Sequence, residues 1–471
     1  MSMNPKSSWP PAAGGRWRRH AVLAAALCLA APMAWSFNLT QALDAARQHD
    51  AKYRAAVYDL QASREARVQG RAGLLPNVSL SGSAYRNHLD RQFPDARGET
   101  VETSQTYDSN SVTLQLRQAL FNKDATAVAR RGDAQSRLGE QLFLVRSDEL
   151  VFRLVEAYSK VLLALEQVRL ADAQVNALQE QSEANERLFA RGEGTRTDVL
   201  ESQSSLELAQ AQRIEAGNAQ ADALAGLRAV VGPAVSLDTV SRLESSRFEF
   251  EPLTPSTLEE WVAMAGQGNA QIGAGRIAAE VAREDLARAN AGHWPRVDLL
   301  GSVSRSRSDS INTLGQLNEQ AAIGVQIQLP LYSGGSVTSL QRQSIANVAK
   351  TEADLDDVTR STNLALQTAY TALFSGARRI SALQKALDSS VAQVEATRKS
   401  VEGGVRIRLD VLRAQQQVSQ TARDLAQARF DHALAWLRLR SLAGELHEQD
   451  LSEVQRKLET GLLATPPKAG S

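Results

Sequence analysis

Residues 191–203 read RGEGTRTDVLESQ, and residues 403–415 read GGVRIRLDVLRAQ. In both, a Gly-rich turn runs into Asp-Val-Leu and, three residues later, a glutamine. Glycine reaches backbone conformations that tight turns need, and an acidic residue just beyond favours the start of a helix. Recurrence of the whole device at an offset of about 212 residues predicts one structural unit written twice.

Working outward, the other landmarks recur in the same order. Leu39-Thr40-Gln41-Ala42-Leu43 and Leu258-Glu259-Glu260-Trp261-Val262 open similar helical segments, near 38–72 and 257–292. Pro76 and Pro295 mark their ends, because the residue before proline resists the α region. Farther on, ALFNKD at 119–124 answers PLYSGG at 330–335, Ala157-Tyr158 answers Ala369-Tyr370, and Gly232 answers Gly444. The expected organisation is a first repeat over 37–232, an inter-repeat linker over 233–256, a second repeat over 257–444 and a polar tail over 445–471. The offset shrinks between the early and late landmarks, which predicts a longer connection at 86–110 than at 305–320.

Between the opening helix and ALFNKD, apolar and polar residues alternate. Val78, Leu80 and Ala84 interleave with Ser79, Ser81 and Ser83, and Val112, Leu114 and Leu116 with Thr113, Gln115 and Arg117. In the second copy Val297, Leu299 and Val303 alternate with Asp298, Ser302 and Ser304, with Leu300 out of phase. Ile323, Val325, Ile327 and Leu329 then alternate with Gly324, Gln326 and Gln328. Such alternation predicts four two-faced strands of about ten residues each, a length suited to membrane-barrel strands as well as soluble hairpins. Four strands are too few to close a barrel, and a bilayer tolerates no open sheet edge, so membrane strands would have to be pooled among several copies.

The helices that follow are unusually long. Asp124–Arg191 and Ser336–Glu402 contain no proline. At 1.5 Å per residue each would reach on the order of 100 Å. Heptad spacing appears in Val151, Tyr158 and Leu165 with Leu154, Val161, Val168 and Val175, and again in Leu366, Leu373, Ile380, Leu387, Val394 and Val401. These seams predict lateral packing against other helices. Shorter helices return over about 198–230 and 410–443. An opening and a returning helix set end to end would match one long helix, which predicts a cylinder of long helices and stacked short pairs.

Bulk composition is consistent with this. A chain of 471 residues exceeds one compact core, and 5% aromatic residues suit Ala- and Leu-rich helices. Zero formal charge and scattered arginines leave no basic field for nucleic acid. Residues 1–36 read as a secretory signal peptide: RWRRH, the apolar run AVLAAALCLAA, and Ala34-Trp35-Ser36 as a small-x-small cleavage site. The only cysteine, Cys28, lies in that run, so the mature chain is expected to hold no disulfide. Signal peptide, strands and the absence of a long apolar helical run together point to the bacterial outer membrane.

The order of these elements, with ALFNKD, QLPLYSGG, RGEGTRTDVLESQ and GGVRIRLDVLRAQ in place, resembles the TolC family of outer-membrane efflux and secretion channels over roughly residues 38–444. The resemblance implies a mixed, mainly α fold: a trimeric outer-membrane β-barrel with four strands per chain, continued by a long α-helical periplasmic tunnel. It implies a homotrimer in outer-membrane lipid, a periplasmic adaptor (membrane fusion) protein, and an inner-membrane ABC or proton-driven transporter. Under it the Gly-rich turns become periplasmic tips that dock the adaptor, at Gly192, Glu193 and Gly194 and at Gly403, Gly404 and Val405. The family's entrance gate falls on Thr197 and Asp198 in the first copy and on Arg406 and Asp410 in the second. Where one family member carries a second acidic residue, this chain has Arg413, and Val401 stands at a gate-tyrosine position. A local reading of Asp198 and Asp410 is that they cap or charge the helix starts.

Other chemistry finds no support in the motifs. The six histidines share no metal-ligand spacing, and the nucleotide-binding and common hydrolase signatures are missing. The sequence therefore predicts no catalytic residues, no metal, no cofactor and no enzyme activity. It predicts a passive exit duct for type I protein secretion, with a multidrug efflux duct as the alternative and a pore-less periplasmic coiled-coil scaffold as the reading from another class.

Overall fold

The computed structural model describes residues 39–94, 96–237, 253–309 and 315–459. The leader read at 1–36 and most of the linker lie outside the described residues. Helices α1 (Leu39–His49) and α2 (Ala51–Ala72) precede strands β1 (Asn77–Pro94) and β2 (Thr100–Phe121), the long helix α3 (Lys123–Ala190) and the returning helix α4 (Arg196–Val231). The second copy repeats the order with α5 (Leu258–Gly268), α6 (Ala270–Ala291), β3 (Arg296–Ser308), β4 (Gln316–Gln328), α7 (Ser336–Glu402) and α8 (Arg408–Ala443). A last helix, α9, spans Glu448–Glu459.

Each opening segment, expected as one helix, is broken into two. The breaks fall at Asp50 and Asn269, both in extended backbone with ψ of 117° and 122°. Each side chain caps the helix that follows: Asp50 accepts from the Tyr53 amide, and Asn269 from the amides of Gln271 and Ile272. The physical cause is end-to-end stacking. The returning helix α4 ends against the first break, where a Cβ at Gly232 would stand 2.8 Å from the His49 ring. In the second copy a Cβ at Gly444 would stand 2.2 Å from the Gly268 carbonyl oxygen, and Asn269 Nδ2 donates to the Leu442 carbonyl at 3.0 Å. Only a helix end without a side chain lets backbone approach backbone that closely. The stacked pairs α2 with α4 and α6 with α8 thus run alongside α3 and α7, whose 68 and 67 residues correspond to about 100 Å each.

The main core sits at these junctions. Tyr158, Leu154, Leu162, Leu366, Leu227, Leu437 and Trp261 are fully buried or nearly so, and a smaller cluster around Ile380, Leu387 and Leu425 continues it toward the tips. The heptad residues Leu366, Leu373, Ile380 and Leu387 all lie buried, as lateral helix packing requires. Residues 445–471 were expected as a polar tail, but α9 is an amphipathic helix. Its Leu451 and Val454 are buried in the main core, and Glu448 pairs with Arg47 of α1. Two apolar residues among many charges give a weak local signal, and only the neighbouring helix end makes them core.

The strands form one antiparallel sheet in the order β1-β2-β3-β4, with β1 and β4 as its edges. They are longer than expected, at 18, 22, 13 and 13 residues, and the region expected as a connection at 86–110 is mostly strand. Its apolar and aromatic residues are few and widely spaced among polar ones, so the pairing shows only in the register. Among the described residues no helix is long and apolar enough to cross a membrane.

Candidate functional site

At the tips, each long helix ends in the same way. In the first, Gly192 sits at φ +80°, its amide donates to Phe189 O at 3.0 Å, and the Glu193 amide donates to Leu188 O at 3.0 Å. In the second, Gly404 sits at φ +73°, its amide donates to Val401 O at 3.0 Å, and the Val405 amide donates to Ser400 O at 2.9 Å. This paired closure, with a left-handed residue just past the helix end, satisfies carbonyls that would otherwise be orphaned. Gly192 and Gly404 are therefore the glycines that the two turns require. Gly403 has an ordinary φ of −78°, and Gly194 instead packs closely, since a Cβ there would stand 3.2 Å from the Phe189 amide nitrogen.

The returning helices start differently. Thr195 caps α4: its hydroxyl oxygen accepts from the Asp198 amide at 3.1 Å, while Asp198 Oδ2 accepts from the Thr195 amide and hydroxyl at 3.1 and 2.7 Å. Asn185, buried on α3, donates to the Asp198 carbonyl at 3.1 Å and ties the turn to the long helix. Asp198 is thus a capping carboxylate. In the second tip Ile407 occupies the cap position and makes no side-chain cap bond, and Asp410 lies in the first turn of α8. Here Val405 and Ile407 stand 82% and 62% exposed, so one tip presents polar groups and the other an apolar pair. Ile407, Asn185 and this asymmetry escaped the sequence reading, although an isoleucine where the first copy has threonine is the visible trace of it.

The expected gate residues are not brought together within one protomer. Thr197, Asp198, Arg406 and Arg413 are exposed and Asp410 is half-buried. Among the described residues no ion pair links Arg406 or Arg413 to Asp198 or Asp410. Helix α3 packs against both α4 and α8. Among the described residues no group of three or more histidine, cysteine, aspartate or glutamate side chains forms a metal cluster.

At the other end, register decides what the sheet can do. Val78 faces Leu116, Leu116 faces Gly301, and Gly301 faces Ile323; Leu80, Leu114, Val303 and Ala321 form the next row. One face is therefore apolar across all four strands, and it is open: Leu80 is 71% exposed and Ile323 80%. The opposite face carries hydroxyls and amides, with rows such as Ser81, Thr113, Ser304 and Gln320. At its base Arg117 Nε and Nη2 donate to Asp298 Oδ2 at 3.1 and 2.5 Å, joining the two repeats beside the bulge at Ala119/Phe121. An exposed apolar face with a polar opposite face is the pattern of a strand set between lipid and an aqueous bore.

Such a sheet, carried on helices about 100 Å long that end in paired turns, defines a protein of the outer-membrane channel class. The chain belongs to the outer membrane efflux protein family, whose model matches residues 42–233 and 261–445, one match for each repeat. It is 37% identical to the alkaline protease secretion protein AprF of Pseudomonas aeruginosa, over 91% of this chain and 89% of that protein. It is 34% identical to the proteases secretion protein PrtF of Dickeya chrysanthemi over 93% and 94%, and 26% identical to the outer membrane protein TolC of Vibrio cholerae over 93% and 97%. In fold it is similar to the Campylobacter jejuni CmeC outer membrane channel, with a TM-score of 0.75 at 15% identity over 90% of each chain. The protein is accordingly an outer-membrane protein of the TolC type, built from two tandem repeats and extending into the periplasm.

Proposed function

We propose that this protein is the outer-membrane exit duct of a type I protein secretion system, acting as a homotrimer. The observation that carries the reading is the four-stranded sheet, apolar outside and polar inside, with both edges unpaired. Three copies joined edge to edge close a barrel of twelve strands and remove every edge from the lipid. The attached helices then form a tunnel whose mouth is ringed by six turns, two from each protomer. A periplasmic adaptor docks on those turns, and an inner-membrane transporter supplies the energy, since the duct itself has none to offer. Secretion of a polypeptide is favoured over small-molecule efflux by the likeness to two protease secretion proteins across nearly their whole length.

At the entrance, Arg406 of one protomer pairs with Asp198 or Thr197 of its neighbour and holds the tunnel shut, while Asp410, repeated by threefold symmetry, adds a ring of negative charge. The test is export by a strain that lacks its own duct but holds adaptor, transporter and a secreted protease. Extracellular protease that depends on this chain, together with the mass of a trimer in detergent, is the expected result. A monodisperse monomer with native helix content, or a trimer that restores drug efflux and never protease export, overturns it.

A further inference from the structure

Strand β2 extends well past its neighbour on one side. Its last pair with β3 is Ser109 with Ser308, whereas its ladder with β1 continues for nine more pairs, from Arg86–Asp108 to Pro94–Thr100. At about 3.4 Å per residue this two-stranded ribbon stands roughly 30 Å beyond the four-stranded sheet, at the end away from the helices.

The two faces of the ribbon exchange character relative to the sheet below. Strand alternation is unbroken through β1, so Tyr85, Leu89 and Phe93 lie on the same face as Ser79, Ser81 and Ser83, which faces the bore. Across the ladder Tyr107 and Val101 lie on that face as well, and Asn87, Arg91, Thr103 and Gln105 are interspersed among them, with Arg91 lying over the Phe93 ring at 5.0 Å. The concave side stays continuous, because alternate residues of β2 from Thr113 to Thr103 remain the more covered ones. The opposite face, apolar at Val78 and Leu80, becomes Arg86, His88, Asp90 and Gln92, opposite Asp108 and Glu102. Polar contacts join it across the strands, His88 to Thr106 at 3.1 Å and Gln92 to Glu102. Above the lipid, then, the large apolar and aromatic side chains move from the outside of the sheet to the inside, where they stand among polar residues. Leu89, Phe93 and Val101 remain between 37% and 39% exposed within one chain, and Tyr85 63%.

From this exchange we infer that the β1–β2 ribbons of three protomers lean together over the extracellular mouth and cover one another's inward aromatic and aliphatic side chains, forming a constriction that cargo must part. The occupant is a second copy of this chain. The face continues the inner wall of the sheet whose edges already require neighbouring copies, and its outer face is charged and fitted for water. The inference rests on the trimeric duct proposed above. A hydroxyl-lined barrel would leave the mouth open, whereas a collar of tyrosine, leucine and phenylalanine narrows it without a fixed ion pair to break.

The experiment places single cysteines in full-length protein with Cys28→Ser, so that no native thiol competes. Phe93→Cys and Leu89→Cys report the inner face, and Gln92→Cys and Asp90→Cys the outer face of the same ribbon. With a mild oxidant, the inner-face variants form covalent dimers that join at most two of three chains, and the outer-face variants stay monomeric on denaturing gels. Oxidised Phe93→Cys also loses single-channel conductance, and a reductant restores it. Equal crosslinking from both faces, crosslinking from the outer face alone, or none from either in a verified trimer overturns this inference and leaves the duct intact. A protein that is not a trimer overturns both.

Discussion

Substituting Gly404 separates what the tip needs for its own geometry from what it needs for a partner. At φ +73° an L-residue costs about 1–2 kcal/mol, less for asparagine, which tolerates the left-handed region, and more for a β-branched valine. Space is no obstacle within the protomer, since nothing lies within 4 Å of a Cβ built there. A valine that cannot hold the angle also gives up the two closing hydrogen bonds, Gly404 to Val401 and Val405 to Ser400, worth about 0.5–1.5 kcal/mol each. Because a turn that opens sheds the strain as it loses those bonds, the strain alone shifts the closed turn toward open forms by roughly five- to thirtyfold, at about 1.4 kcal/mol per factor of ten. Global stability barely changes, because the tip lies 31 residues from Leu373 of the main core, about 45 Å along the helix. Gly404→Asn keeps the turn and adds a side chain, whereas Gly404→Val loses the turn. Protease export, crosslinking to the adaptor and trimer mass are measured for both. If the adaptor seats on the backbone of the turn, both variants fail to export while trimer mass and melting temperature hold; full export by both refutes the docking surface, and loss of the trimer in either refutes its independence from the core.

Four further outcomes follow from the structure. Val325→Asp places a charge on the exposed apolar face of β4, at a cost of up to a few kcal/mol near the bilayer midplane, and should leave the protein in the periplasmic fraction rather than the outer membrane. Arg406→Ser should raise single-channel conductance in planar bilayers with expression unchanged, and unaltered conductance in a folded trimer would leave Arg406 without a gating role. Asn269→Ala removes the cap of α6 and the bond to Leu442, and should lower stability by about 1–3 kcal/mol in thermal melts of detergent-solubilised protein. Asp148, on α3, has its pKa raised by burial, with Ser441 donating to it at 2.7 Å and opposing that shift. Because the folded state then holds this proton more tightly than the unfolded one, stability falls as pH rises from the unfolded carboxylate range through the raised value. Asp148→Asn, which can still accept from Ser441, should therefore melt higher at neutral pH and flatten that part of the pH profile.

The doubled order of elements, the two long helices, the strand alternation and the paired Gly-rich turns were legible in the residues, because each is written in a local period or in a repeat. Asp198 as a capping residue was also legible, since Thr195 and Asp198 stand three apart at a helix start. Tertiary contacts decided the rest. Asp50 and Asn269 look like residues inside a continuous helical pattern, and become breaks only because the ends of α4 and α8 arrive there with Gly232 and Gly444. Leu451 and Val454 look like two apolar residues in a charged tail, and become core only where α1 lies beside them. Arg117 and Asp298 each read as polar positions on separate strands 181 residues apart, and their ion pair exists only in the β2–β3 register. A local period states which face of an element is apolar, but which distant residue covers that face is a property of chain packing, with no counterpart in the order of neighbours along the chain.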